Sequence, residues 1–261
     1  MNKVLSTKQF TTKYIESLIL TAILMIENPN KFNNVLKNKI MVNLFFEPST
    51  RTSVSFQTAM IKLGGNNIKL NPSFSSIKKK ESLQDMITVM EQFVDIIVIR
   101  HSKSHILDNI TISDNKVLIN AGDGDNEHPT QALLDLLTIF YCNNKENKEK
   151  FIKNNEVNFS NLSITLVGDL KYSRTIHSLI YLLCLYNNIT FNLVSPNELR
   201  LPPELKGYII KSNCSYIENN LYTPFINNTD VLYMTRIQKE RFKSINDYEK
   251  VKNCYNLTIK E

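Results

Sequence analysis

The chain has 261 residues, 42% hydrophobic and 21% charged, with a formal net charge of +6. That length accommodates two mid-sized domains, and the composition is that of a folded globular protein, which excludes a disordered chain. The Lys residues are scattered among Asn and Ile rather than gathered on one pattern, so the cationic excess reads as solvated surface with a share for anionic substrates, and nucleic acid is not expected as a partner.

In chain order, the apolar run from Leu18 to Ile26 is interrupted by Thr21 and preceded by Glu16. It is too short for a bilayer and no small-residue cleavage site follows, so it predicts an amphipathic first helix, with no membrane anchor or export signal. Residues 39–46 predict a strand and residues 51–63 a helix, with Phe56, Ala59, Met60 and Leu63 at helical spacing and Gly64-Gly65 as the stop. A second helix is predicted over about residues 81–93, with Leu83, Met86, Ile87 and Met90 on one face. VDIIVIR (94–100) and residues 116–120 predict strands, followed by the loop AGDGDNEH and a helix opening at Pro129, whose missing N–H suits a first helical position. In that helix Leu133, Leu136, Leu137 and Phe140 share a face.

Residues 143–158 are polar, Lys/Asn-rich and low in complexity, and are expected to be an exposed connection. The pattern then resumes with a strand at 162–167, a helix at 173–186 carrying Ile176, Leu179, Ile180 and Leu183 on one stripe, strands at 189–195 and 230–235, and a helix between them at 202–211. The alternation of strand and helix implies two α/β domains, each a mainly parallel sheet flanked by helices, divided as residues 1–133 and 134–261. Cys142, Cys184, Cys214 and Cys254 form no C-x-x-C pair, so zinc is not expected and they read as reduced thiols of an intracellular protein, for which the cytoplasm is the expected location.

In parallel sheets ligands bind where strands end and helices begin. The loop FFEPSTRT (45–52) is such a place. Ser49, Thr50, Arg51 and Thr52 stand at a helix start, where free amides and the helix dipole favour an anion, and Arg51 adds a planar cation suited to phosphate. A bland reading, a Ser/Thr helix cap beside a surface Arg, competes with this one.

The full string fits F-x-[EK]-x-S-[GT]-R-T, and it resembles the carbamoyl phosphate signature of the aspartate and ornithine carbamoyltransferases. The resemblance extends to VDIIVIRH, NAGDGDNEHPTQALLDLLTIF, VGDLKYSRTIHS and DVLYMTRIQKERF, covering the chain from the first helix to about Val251. The element R-x-Q-x-E-R (Arg236, Gln238, Glu240, Arg241) favours the aspartate branch over the ornithine branch. Several roles follow from the resemblance. Ser49, Thr50, Arg51 and Thr52 would hold the phosphate of carbamoyl phosphate, and Thr52, Arg100 and His128 would surround its carbonyl oxygen. Gln131 would accept from the carbamoyl NH2, while Arg174, Arg236 and Gln238 would bind the carboxylates of L-aspartate. Arg241 reads as solvated or as a partner of Glu240.

The activity implied is transfer of the carbamoyl group to aspartate, the second step of pyrimidine biosynthesis, with no metal or organic cofactor. PSFSSIKKKE (72–81) resembles the family loop that reaches a neighbouring subunit's site, with Ser75 and Lys79 as its donors, and so implies a homotrimer, with regulatory chains left open. Lys80 stands where the family has Gly. The family's H-P-L-P-R element does not occur in these residues, which implies a chain that stops short of full length, an incomplete second domain and little turnover from these residues alone. A binding or regulatory subunit, and a carbamoyltransferase for another amino acid, stay open as alternatives.

Overall fold

The computed structural model describes residues 2–70, 82–143, 157–242 and 244–257. Ser75, Lys79 and Lys80 lie outside the described residues, as does the polar stretch 144–156. The chain divides into two compact units, Met1–Leu134 and Asp135–Glu261.

The first unit holds strands β1 (Lys3–Val4), β2 (Ile40–Phe45), β3 (Asn66–Lys69), β4 (Ile96–His101) and β5 (Val117–Asp123) in one parallel sheet of order β1-β5-β4-β2-β3. Its helices are α1 (Thr12–Glu27), α2 (Thr50–Lys62) and α3 (Leu83–Met90), and α4 (Pro129–Asn143) starts in this unit. The two-residue period of the strands sorts side chains between two cores. Val42, Leu44, Ile97, Ile99 and Leu118 pack with Met86 and Ile87 of α3. Met41, Val98 and Ala121 pack with Met60 and Phe56 of α2.

The expected stripe of α3 is therefore the buried one. On α2 Phe56 and Met60 face inward but Ala59 is exposed, because the inward line of this helix steps four residues at a time. On α1 the buried line is Ile15, Ile19 and Ile23, while Leu24 and Ile26 of the apolar run stay 40% and 53% exposed.

The second unit holds β6 (Ser163–Val167), β7 (Thr190–Val194), β8 (Ser215–Asn219) and β9 (Val231–Met234), again all parallel, in the order β8-β7-β6-β9. Helices α5 (Arg174–Leu183), α6 (Pro203–Lys211) and α7 (Ile245–Val251) complete it. Ile176, Leu179, Ile180 and Leu183 of α5 are fully buried, as expected of that stripe. Tyr181 and Tyr208 meet edge to face at 4.9 Å between α5 and α6.

Three strands have no counterpart in the sequence reading: β1, β3 and β8. All are sheet edges, and two are polar, so their formation rests on pairing with an apolar neighbour rather than on their own residues. The strand expected at 116–120 also runs further. It continues to Asp123 through a register shift against β4 that pairs His101 with Asp123, with Gly122 at φ 111°. Among the described residues, no helix is long and apolar enough to cross a membrane.

Candidate active site

Strand order marks the end of each sheet where a ligand could sit. In the first sheet the chain moves outward from β2 to β3 on one side and from β4 to β5 on the other, so the order reverses between β2 and β4. In the second it reverses between β6 and β9. A parallel sheet opens a crevice for ligands at the carboxyl ends of such a strand pair. Every described substrate-site residue singled out above lies at the end of, or follows, one of these four strands or neighbouring β5.

At the end of β2, Ser49 is the N-cap of α2, yet its side chain caps no amide. Its hydroxyl instead donates to Thr52 Oγ1 at 2.9 Å. By contrast, Thr11 accepts from the Tyr14 amide at the start of α1, and Ser82 makes a full capping box with Asp85 at the start of α3. The first amide of α2 to meet a chain carbonyl is that of Ser53, which donates to Ser49 O at 3.0 Å. The earlier first-turn amides have no intrahelical partner, and the positive end of the helix dipole lies at the same turn. In the bland reading Ser49 would spend its oxygen on those amides, which it does not do here. Thr50 and Arg51 are exposed.

The turn is held from below. Asn43, buried on β2 and facing α2, donates through Nδ2 to Ser53 O at 3.1 Å and Ser53 Oγ at 3.2 Å. Gln57 Nε2 also donates to Ser53 Oγ at 3.1 Å, and Asn67 of β3 donates to Gln57 O at 3.0 Å. A polar side chain inside an otherwise apolar strand was the signal for Asn43 that sequence reasoning passed over. Asn43→Ala is expected to lower stability by about 1–2 kcal/mol in urea unfolding and to weaken binding of inorganic phosphate several-fold in titration calorimetry, because each lost bond loosens the anion-facing turn.

Arg100 lies near the end of β4, paired in register with Phe45, and its carbonyl accepts from the Phe46 amide at 2.8 Å. Its side chain is 11% exposed and is fixed at both ends, by Ala121 O at 3.2 Å and by Glu47 Oε2 at 3.2 Å. Glu47, inside FFEPSTRT, is thus a further residue of this site that the sequence reading did not single out. His128 follows β5 and is buried, and its carbonyl accepts from the amides of Gln131 and Ala132 as α4 begins. The first unit therefore groups Ser49–Thr52, Arg100 and His128 at the carboxyl edge of three adjacent strands, with Gln131 in the first turn of α4.

In the second unit, Arg174 opens α5 just after β6, and Arg236 and Gln238 follow β9. Gly168 makes that junction possible. Its φ is +119°, and a Cβ there would come within 2.3 Å of Thr235 O. Gln238 Nε2 reaches Asp169 Oδ2 at 3.5 Å, and Ser173 Oγ lies 3.5 Å from Thr235 Oγ1, so the two loops touch. Burial pushes the Asp169 carboxyl above the ordinary carboxylate range, opposed by hydrogen bonds from the Tyr172, Gln238 and Lys171 backbone.

Arg236 is held by both oxygens of Glu240 in a two-pronged pair. Of the two readings of Arg241, solvated or a partner of Glu240, neither is excluded: the hydrogen bonds of Glu240 go to Arg236, while the charge of Arg241 also helps hold the Glu240 carboxyl low. Hydrogen bonding to Glu240 raises the Arg236 pKa, and the same bond lowers that of Glu240.

Fold and geometry together define a two-unit α/β protein, each unit a parallel sheet with cationic and hydroxyl-bearing side chains at the strand ends of its switch point. Two family descriptions match the chain: "Aspartate/ornithine carbamoyltransferase, carbamoyl-P binding domain" over residues 2–140, and "Aspartate/ornithine carbamoyltransferase, Asp/Orn binding domain" over residues 160–260. The chain is 40% identical over 249 residues to the aspartate carbamoyltransferase catalytic subunit of Clostridium novyi (strain NT), covering 95% of this chain and 77% of that protein. It resembles the solved catalytic subunit of M. jannaschii aspartate transcarbamoylase with a TM-score of 0.80 and 38% identity, covering 98% of this chain and 81% of that one. The aspartate transcarbamoylase from Trypanosoma cruzi in complex with carbamoyl phosphate and aspartate gives a TM-score of 0.80 and 35% identity, covering 96% and 76%. The chain belongs to the aspartate/ornithine carbamoyltransferase family.

Proposed function

We propose that the chain transfers the carbamoyl group of carbamoyl phosphate to the amino group of L-aspartate, giving N-carbamoyl-L-aspartate and phosphate, the second step of de novo pyrimidine biosynthesis, in the cytoplasm. The observation that carries this reading is the start of α2. Its cap hydroxyl is turned away from the first-turn amides, inside a string that fits the carbamoyl phosphate signature of its family.

Residues 1–133 take carbamoyl phosphate in this reading, and 134–261 take aspartate. Ser49, Thr50, Arg51 and Thr52 hold the phosphate through amides, hydroxyls and a guanidinium. Thr52, Arg100 and His128 donate to the carbonyl oxygen, and Gln131 accepts from the carbamoyl NH2. Arg174, Arg236 and Gln238 hold the aspartate carboxylates. The aspartate amine attacks the carbonyl carbon, and negative charge grows on the carbonyl oxygen. Fixed donors there gain strength toward the transition state, about 3 kcal/mol for a well-placed one. Holding two anions in attacking geometry lowers the rest of the barrier. Ser75 and Lys79, from a neighbouring subunit, complete the site, which makes the working form a homotrimer.

The test compares ureido product formed from aspartate and from ornithine with carbamoyl phosphate as donor. Aspartate is expected to be preferred by more than about a hundredfold, since a site built for a second carboxylate leaves its cations unpaired with ornithine. Equal rates would overturn the assignment. Binding of N-(phosphonacetyl)-L-aspartic acid with no turnover would mark a binding subunit instead.

A further inference from the structure

We propose that Glu127 is a positioning residue, through which the N-terminal segment Ser6–Thr7 clamps the loop that presents His128. The proposal rests on the reading of His128 as a donor to the carbonyl oxygen.

Glu127 is a carboxylate only 3% exposed, a placement that costs several kcal/mol unless each oxygen is well partnered. Both are. Oε1 accepts from Ser6 Oγ, while Oε2 accepts from the Thr7 amide at 2.7 Å and from Thr7 Oγ1. Thr7 is itself 1% exposed. The donors come from a segment about 120 residues away in sequence, anchored independently. Strand β1 pairs with β5, Leu118 N donates to Asn2 O at 2.9 Å, and Asn120 Nδ2 donates to Leu5 O at 3.0 Å.

The other end of the loop is fixed by Asp123, 1% exposed, which accepts from Asn120 Nδ2 at 2.9 Å, the His105 amide at 2.9 Å and Asn126 Nδ2 at 3.0 Å. Asp123 and Glu127 also exchange backbone contacts as an isolated antiparallel bridge. The turn at Gly124–Asn126 is thus closed by two buried carboxylates, and the next residue is His128. An apolar side chain would fill the Glu127 site at less desolvation cost, so what the carboxylate adds is geometry: it fixes the backbone on which the imidazole stands.

The experiment uses the full chain and three variants, Glu127→Ala, Glu127→Gln and the double variant Ser6→Ala/Thr7→Val. A misplaced donor acts on the transition state more than on the bound substrates. Glu127→Ala and the double variant are therefore expected to lower kcat about tenfold or more with KM for aspartate within about twofold. Glu127→Gln keeps an acceptor for the Thr7 amide and is expected to stay within about threefold of the parent. The double variant leaves the carboxylate and the Thr7 amide bond in place and serves where Glu127→Ala fails to fold. With four histidines in the chain, imidazole NMR resonances are assignable, and His128 is expected to shift on adding carbamoyl phosphate in the parent and the Gln variant but to broaden or stay unmoved in the other two. Parent-like kcat and parent-like His128 response in Glu127→Ala or the double variant would overturn the clamp alone. No His128 response in the parent would remove the His128 assignment, and the clamp with it.

Discussion

Replacing Arg100 with Ala is expected to weaken carbamoyl phosphate binding about tenfold to a hundredfold, and to slow transfer by a further ~10²–10³-fold. The guanidinium stands at the switch point between β2 and β4, 11% exposed, braced between Ala121 O and Glu47. In the proposed role beside the carbonyl oxygen, a cation so braced needs little reorganisation as charge develops, and one such donor is worth several kcal/mol in the transition state. The substitution also strands Glu47. That costs stability by roughly 2 kcal/mol, short of a fully buried pair because the Glu47 side chain is 29% exposed. Arg100→Lys keeps the charge but not the fork that reaches both partners, so it is expected to recover less than a tenth of the parent rate, by the rule that the two cations do not exchange at two-pronged sites. Calorimetry with carbamoyl phosphate and a ureido assay separate the two effects. A rate within about tenfold of the parent for Arg100→Ala would mean the guanidinium does not touch the reacting carbonyl.

Gly168→Ala is expected to destabilise the second unit by about 3 kcal/mol, lowering Tm by roughly 10 °C, and to raise KM for aspartate. At φ +119° an Ala is strained, and its Cβ would fall 2.3 Å from Thr235 O, a backbone atom with no freedom to swing away. Thr235 N donates to Val167 O at 2.8 Å and Gly168 N to Val194 O at 2.9 Å, so the ends of β6, β7 and β9 are tied together at this one glycine. Whatever relieves the clash moves Thr235 and, one and three residues on, Arg236 and Gln238. Gly207→Ala on α6 is the control. Nothing lies within 4 Å of its added Cβ, and Ala in a helix interior is expected to stabilise by about 0.5–1 kcal/mol. Differential scanning calorimetry with aspartate saturation curves reads both. An unchanged Tm for Gly168→Ala would show that the β6–β9 junction can open without loss.

Much of this architecture is legible in local pattern. The stripes Leu83–Met86–Ile87–Met90 and Ile176–Leu179–Ile180–Leu183 are the buried faces of their helices, because a helix with one apolar side has one way to face a sheet. Ala59 went the other way. An alanine buries too little surface to set the rotation of α2, which Phe56 and Met60 fix instead. The loops were legible as well, since Ser, Thr, Arg and His at strand ends exceed what a turn requires. Two partners were not: Glu47 for Arg100 and Asn43 for Ser53 each depend on how β2, β4 and α2 pack, whereas Glu240 stands only four residues from Arg236.

The amino-acid sequence alone determined the alternation of strands and helices, the stripes that pack, and which loops carry cations and hydroxyls. These follow from periodicity and residue chemistry within a dozen positions. Only the tertiary structure decided that β2 lies beside β4 and β6 beside β9, that polar edge strands form at all, and that Ser6 and Thr7 meet Glu127. Sheet order joins segments far apart along the chain through backbone hydrogen bonds, which are nearly the same for every residue and so leave little trace in residue type.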